Sequence, residues 1–277
     1  MGFFATSGIL NRKGFFGGGF DPDASSFFAT AGVTDRVARG QINSFVLGIK
    51  NLGLYNSMVC WPLRSTQNSG TGTTAYSLGG LQTANATLVN GSTWTSNGTP
   101  FTTTQYANAT ISDSGQDLTL LLVAAGSGAS FGSFPQYFGV QSPSTWVGNQ
   151  INLGNNGGNT PISTFHRNSS GSFVTGNITS GLNASTSFTF ISGSAKTSTV
   201  LNIKRLDAST ESSGTPPTSG TATLTRMQLN GRWSGSLGLG AEITCAFCAI
   251  IAPNISGSES SLYTLYKTTL GQELGLP

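Results

Sequence analysis

Two hydrophobic periods divide the chain. Across residues 23–52 apolar positions recur at helical spacing, with Ile42, Phe45, Val46 and Ile49 on one stripe, and the segment reads as a helical hairpin. Thr34 stands where the cap of the second helix belongs, and Asp35 falls in its first turn, at the positive end of the helix dipole. Gly53, followed by Leu54-Tyr55, marks the end of that helix. From about Ser57 the period changes to two. Residues 58–63, 117–124, 187–191, 200–206 and 239–251 read as strands separated by Gly, Ser, Asn and Pro turns. Segment 117–124 is nearly all apolar, which predicts a central strand. Leu239, Ala241, Ile243, Cys245, Phe247, Ala249 and Ile251 alternate with their neighbours and predict one buried face. Residues 209–220, with Pro216-Pro217, read as a loop. A closing helix is expected where Ser256 and Glu259 have capping-box spacing and Leu262, Leu265, Tyr266 and Leu270 form a stripe. Many short strands between turns imply an all-β, antiparallel two-sheet jelly-roll sandwich. The flanking N- and C-terminal helices are expected to pack on each other or on one sheet.

Three regions follow: an arm over residues 1–22, a helical segment over 23–56, and the sandwich with its closing helix over 57–277. The arm carries Phe3, Phe4, Phe15, Phe16 and Phe20 around Gly17-Gly18-Gly19. A glycine-rich stretch has too little local structure to bury five phenylalanines by itself. Each is worth about 1.5–3 kcal/mol once removed from water. The arm is therefore expected to lie on another surface, and these five side chains are the expected assembly contacts. Packing on the chain's own core is the plainer alternative.

Composition sharpens the class. Charged residues make up 8% of the 277 positions, and between Ser65 and His166 only Asp113 and Asp117 are charged. An average soluble domain carries about 25%. With 37% hydrophobic and 10% aromatic residues the chain still has the material for a packed core. A surface polar through hydroxyls and amides suits strands and turns. The net charge of +3 is dispersed, with Arg12-Lys13 and Lys204-Arg205 the only adjacent basic pairs, so no nucleic-acid footprint is expected. No apolar run reaches the roughly 18 residues of a membrane span, and the N-terminus lacks the pattern of a secretory signal. Three cysteines, an odd number, argue against a disulfide framework and fit a reducing cytoplasm.

Candidate chemistry is sparse. Asp113 and Asp117 share a face only if both lie in one strand, and Ser114-Gly115 between them suggests a turn; Glu242 stands alone. A glycosidase needs two carboxyls placed across the scissile bond. His166, the single histidine, lacks the partners of a zinc site or a nucleophile pair and reads as a loop or strand-end residue. Cys245 and Cys248 have CxxC spacing, but three residues along a strand are expected to point to opposite faces, as buried thiols. Calcium wants several carboxylate oxygens, and only Asp113 or Asp117 is at hand. No catalytic, cofactor or metal residues are assigned. Trp94, Tyr137, Trp146 and Trp233 are candidates for stacking on sugar rings, with core packing the commoner use.

The stretch Ala86-Thr-Leu-Val-Asn-Gly-Ser-Thr-Trp-Thr95, then Gly98-Thr-Pro-Phe101, resembles the opening strands of concanavalin A-like (LamG-type) jelly rolls. Ala246-Phe-Cys-Ala-Ile-Ile251, a polar link and a helix ending Thr269-Leu-Gly271 are similar to the close of tailed-bacteriophage virion proteins carrying this domain. The resemblance covers about residues 23–277. It implies a non-catalytic virion structural protein (capsid decoration, head fibre or tail-associated), made in the host cytoplasm and assembling with copies of itself or other virion proteins. The alternative it implies is a receptor-binding adhesin that takes a host surface glycan, through contact residues not assigned.

Overall fold

The structure, a computed structural model, describes residues 19–112, 117–126, 136–142, 150–155, 161–166, 173–177, 186–196, 200–214, 224–231, 240–253, 255 and 257–277. It opens with two helices, α1 (Pro22–Ala31) and α2 (Arg36–Asn51). Asp21 caps α1 by accepting from the Asp23 N–H, Pro22 follows at the first helical position, and Gly32 closes the helix at φ 66°. The cap of α2 is Asp35, whose carboxylate accepts from Ala38 N–H at 2.7 Å. This is one residue later than the expected Thr34, and it puts a full negative charge at the dipole's positive end.

Strands are numbered in chain order. One sheet has seven: β1 (Met58–Pro62), β4 (Thr99–Phe101), β6 (Leu118–Gly126), β11 (Thr189–Lys196), β12 (Val200–Arg205), β13 (Thr210–Ser213) and β15 (Ile243–Ile251). Its order is β1-β15-β6-β11-β12-β13, with β4 also paired to β15. The other has eight, in the order β10 (Phe173–Asn177), β9 (Pro161–His166), β8 (Gln150–Asn155), β7 (Gln136–Gln141), β14 (Arg226–Leu229), β5 (Tyr106–Thr110), β3 (Ala86–Val89), β2 (Thr74–Ala75). The named pairings are antiparallel, for example β6 with β15 and β7 with β14. This is the two-sheet antiparallel sandwich expected from the sequence. A closing helix, α3 (Glu259–Thr268), follows. None of the described helices is long and apolar enough to cross a membrane.

Two cores lie either side of the seven-stranded sheet. Trp61, Leu120, Leu122, Phe138, Met227 and Ile243 fill the space between the sheets. Phe45, Ile49, Leu121, Val123, Phe247 and Tyr266 fill the space between the seven-stranded sheet and the helices. The architecture is therefore three layers, and β6 is buried on both faces, which is why its sequence is a continuous apolar run. Helices α2 and α3 meet across Gly48, where a Cβ would stand 2.3 Å from Leu265 Cδ1.

The expected single buried face of β15 is corrected. A bulge between Cys245 and Phe247 breaks the alternation. Ile243, Cys245, Cys248 and Ile250 enter the inter-sheet core, whereas Phe247, Ala249 and Ile251 face the helices. Leu239 lies outside the described residues. The capping box of α3 is also altered: Ser258 is the cap residue without a side-chain bond, while Glu259 accepts from Gly257 N–H at 2.6 Å. Ser256 lies outside the described residues.

Asp21 also joins the two N-terminal helices. Lys50 Nζ donates to both its oxygens, at 2.8 and 2.9 Å, and reaches Asp23 at 2.5 Å. Burial tends to raise the Asp21 carboxyl, but the hydrogen bonds from Lys50 and the Asp23 N–H prevail and leave it below its ordinary value. Lys50 is raised, first by the bond to Asp21 and then by that to Asp23. A lowered carboxyl stabilises the fold above its unfolded value of about 3.9, and that contribution is lost as pH falls through the folded value. A raised amine does so below about 10.4, and its contribution is lost as pH rises through the folded value. Asp21→Asn keeps a cap and loses the charge. It is expected to cost about 1 kcal/mol at neutral pH, with the gap to the parent closing below about pH 4. Urea unfolding at the two pH values checks this; an equal gap at both would refute the clamp.

Candidate functional site

Phe20 is the one arm contact within the described residues. It is 42% exposed and touches Phe28 edge-on, with ring centroids 5.1 Å apart. Phe3, Phe4, Phe15 and Phe16 lie outside the described residues. Among those described, the exposed large apolar side chains are Phe20, Val37, Leu47 and Leu52. All belong to the N-terminal segment and α2, and none to the sandwich. Among the described residues, exposed large apolar side chains thus gather on the helical layer. Next to Leu52, a groove of about 560 Å³ runs between α2 and α3, bordered by Gly48, Thr264 and Leu265.

Among the described residues, the sequence's candidate carboxylates do not converge. Asp113 lies outside the described residues; Asp117 is half-buried before β6, and Glu242 is exposed before β15. Ile243 pairs with Gly126 and Ile251 with Thr119, so these two carboxylates stand at opposite ends of the sheet. His166 is the last residue of β9. Among the described residues no group of three or more His, Cys, Asp or Glu gathers to hold a metal.

The cysteine expectation is corrected. Because of the bulge, Cys245 and Cys248 share the inter-sheet face instead of opposing faces. Both are fully buried free thiols, and Cys245 Sγ donates to Phe247 O at 3.5 Å. Burial, then a hydrogen bond with Cys245, pushes the Cys248 thiol well up, and burial alone raises Cys60. Neither Cys60 nor Cys248 is poised as a thiolate.

Of the candidate stacking aromatics, Tyr137 is fully buried in the core and presents no ring to a ligand. Trp94 is half-buried, with its Nε1–H donating to Gly72 O at 3.1 Å. Trp146 and Trp233 lie outside the described residues.

Two surfaces escaped the sequence reading. The first is a cleft of about 700 Å³ beside the 3₁₀ turn Tyr55–Ser57, lined by Asp23, Lys50, Tyr55, Asn56, Gln82 and Thr83. Lys50 Nζ sits 4.8 Å from the Tyr55 ring centre. Burial, then the charge of Asp23, pushes the Tyr55 hydroxyl up to about 12. The cleft's one cation is already held by Asp21 and Asp23, so it carries no free positive charge for an anion.

The second is the outward face of the eight-stranded sheet. Phe138, Val140, Met227 and Leu229 enter the core, so their alternating neighbours face away from it. Register sets Gln141 opposite Arg226 and Gly139 opposite Gln228. On the next strand Asn108 stands opposite Gln228 and Thr110 opposite Arg226. A bulge between Gln136 and Phe138 turns Tyr137 inward and leaves Gln136 on the outward side. The backbone ladder continues with Gln150 opposite Gln141, Asn152 opposite Gly139, and His166 opposite Gln150. Among the described side chains, this face carries the amides of Gln136, Gln141, Gln228 and Asn108, the Thr110 hydroxyl and the Arg226 guanidinium, where the inner face is apolar.

No family model matches the sequence, and no curated protein matches it. Solved structures do. The binding domain of botulinum neurotoxin serotype C1 superposes with TM-score 0.55 at 9% identity, covering 76% of this chain and 52% of that one. A botulinum neurotoxin type C chain, whose cell entry depends on interaction with two ganglioside molecules, gives 0.55 at 8%, covering 78% and 53%. Trypanosoma rangeli sialidase gives 0.54 at 10%, covering 85% of this chain and 40% of that one. The chain thus spans about half the length of the toxin domains and two fifths of the sialidase. Both catalytic and binding proteins carry this sandwich, and at such identities the likeness is one of fold alone: a two-sheet antiparallel β sandwich.

Proposed function

We propose that the protein is a non-catalytic structural component of a bacteriophage particle, seated on other virion proteins or on copies of itself through its N-terminal arm and helical layer. The observation that carries this reading is the placement of exposed apolar residues. Among the described residues, the exposed large apolar side chains are Phe20 at the arm's base, Val37 and Leu47 on α2, and Leu52 at its C-terminal cap. Exposed apolar surface concentrated on one layer marks an interaction face. The similarity of residues 246–271 to the close of tailed-bacteriophage virion proteins supplies the setting, and synthesis in the host cytoplasm agrees with three buried free thiols. Among the described residues, Asp117 and Glu242 stand at opposite ends of their sheet, which favours a binding or structural role over a carboxylate pair. Deleting residues 1–18 is expected to leave the melting temperature of the purified protein unchanged and to cut its copies per particle by about tenfold or more. Wild-type occupancy after the deletion would refute the anchoring role.

A second reading, a host-glycan-binding adhesin, is favoured by the amide-lined outward face of the eight-stranded sheet. The ganglioside dependence of a protein with the same fold also leans toward it. The two readings are compatible, since the helical layer and this face lie on opposite sides of the molecule.

A further inference from the structure

We infer that the groove between α2 and α3 receives the N-terminal arm of a second copy of this chain, so that copies join head to tail. This rests on the virion-assembly reading above and names the partner of its helical layer. The stretch of about 560 Å³ beside Gly48 and Leu265 adjoins a second, of about 620 Å³, beside Val37, Gly40 and Ser44; Thr268 borders both. From Val37 to Leu52 the groove follows α2 for about 22 Å. That is the length of about seven residues in extended form. Gly40, Ser44 and Gly48 recur every fourth position and keep the α2 wall low. On the α3 wall, the Thr264 and Thr268 hydroxyls donate within their own helix, to the Ser260 and Thr264 carbonyls at 3.0 and 2.8 Å. These hydroxyls are already paired, so covering them with an apolar segment strands neither. Val37 and Leu52, two of the exposed large apolar side chains, stand in the lining.

The chain itself supplies a segment of matching chemistry. Residues 1–18 join the described structure at Gly19 and carry three apolar pairs, Phe3-Phe4, Ile9-Leu10 and Phe15-Phe16, with Arg12 and Lys13 as their charged side chains. Among the residues lining the groove, Arg36 alone is charged, and it stands at the end away from Leu52. The arm's base is fixed on the opposite flank of α2. Asp21 N–H donates to Asn43 Oδ1 at 2.7 Å, and its carboxylate holds Lys50, whereas the groove opens beside Gly48. Asn43 and Gly48 lie about 140° apart around the helix. Exposed Leu47 stands on the crest between them. The arm therefore leaves on one flank and the groove receives on the other. Surfaces that differ in this way make a heterologous contact, which repeats from copy to copy and closes into a ring where the rotation permits. A neighbour's arm enters such a groove without crossing the Leu47 crest.

The test compares the full chain, the chain lacking residues 1–18, and the full chain with Thr264→Lys, which sets an ammonium in the groove at an exposed position. Small-angle X-ray scattering is recorded up to about 1 mM, the local concentration that tethered neighbours reach. The parent is expected to associate as concentration rises, and each variant alone to do so at least about tenfold more weakly. Mixed one to one, the two variants should form heterodimers and nothing larger, because one keeps only its arm and the other only an open groove. A helical layer that was merely destabilised would not give this complementation. A parent that stays monomeric, or a mixture that stays monomeric while the parent associates, would overturn the docking of copies. So would hydrogen exchange in dilute protein showing that arm deletion exposes residues 260–268, which would give the groove to the chain's own arm. Copies per particle separate this inference from the reading beneath it. Incorporation lost on deletion but normal in Thr264→Lys would overturn the groove and leave the virion role standing, with another protein as the arm's seat. Normal incorporation of both variants would overturn both.

Discussion

Replacing Phe247 by alanine is expected to lower stability by about 3–5 kcal/mol, with the helices and both sheets still melting in a single transition. Phe247 is 1% exposed and sits where the β15 bulge turns the strand toward the helices. Its ring meets Phe45 of α2 edge-on at 5.7 Å and Tyr266 of α3 at 4.9 Å. Truncation leaves a void bordered by three elements of two layers, and close-packed neighbours collapse into such a void only in part. Because α2, α3 and the seven-stranded sheet share this one core, its loss should be felt by all of them. Thermal unfolding followed by far-ultraviolet dichroism and by tryptophan fluorescence checks this. A separate early helical transition, with the sheet signal unmoved, would show the helices to be an appendage and not a layer.

Arg64→Ala should cost roughly 3 kcal/mol, the second largest effect expected. Arg64 is 2% exposed, and its guanidinium spans three groups. Its Nε donates to Ser96 O at 2.5 Å, Nη1 to Leu270 O at 3.0 Å, and Nη2 to the Glu273 carboxylate. Gln67 donates to the same Leu270 carbonyl at 2.9 Å and to Gln41 of α2 at 3.1 Å. The loop after β1, α2 and the C-terminal residues are thereby tied together. Glu273 is 58% exposed, so it loses little when left alone, and Leu270 O keeps one donor. The cost therefore comes from the lost charge-assisted bonds and the cavity. Lysine should not rescue, since a point charge cannot reproduce a planar fork with three partners. Hydrogen exchange should show residues 270–277 losing protection first. Full stability in Arg64→Lys would refute the role given to the fork.

Much of the fold was legible because burial writes itself into a period. The stripe of Ile42, Phe45, Val46 and Ile49 gave α2, and the nearly all-apolar segment 117–124 gave a central strand, which the structure shows buried along its length. The candidate site was not legible. Strands β5, β7 and β14 carry Asn108, Gln141 and Gln228 between apolar residues, which reads equally as a polar turn-rich stretch. Only pairing across the sheet shows that these amides stand side by side. Tyr137 failed as a ligand contact for a related reason: the bulge beside it rotates the ring inward, and a bulge leaves no mark in composition.

The sequence by itself determined the class, the change of period near residue 57, the helices and the central strand. Each of these is a local consequence of side-chain size, branching and spacing, which propensity and periodicity carry. Tertiary structure alone decided that the helices cover one sheet as a third layer, and that Cys245 and Cys248 share a face. It alone brought three glutamine amides together on another sheet. Those outcomes depend on register and bulges between strands far apart in the chain, which fix which face each side chain takes. A single residue of slip reverses that choice.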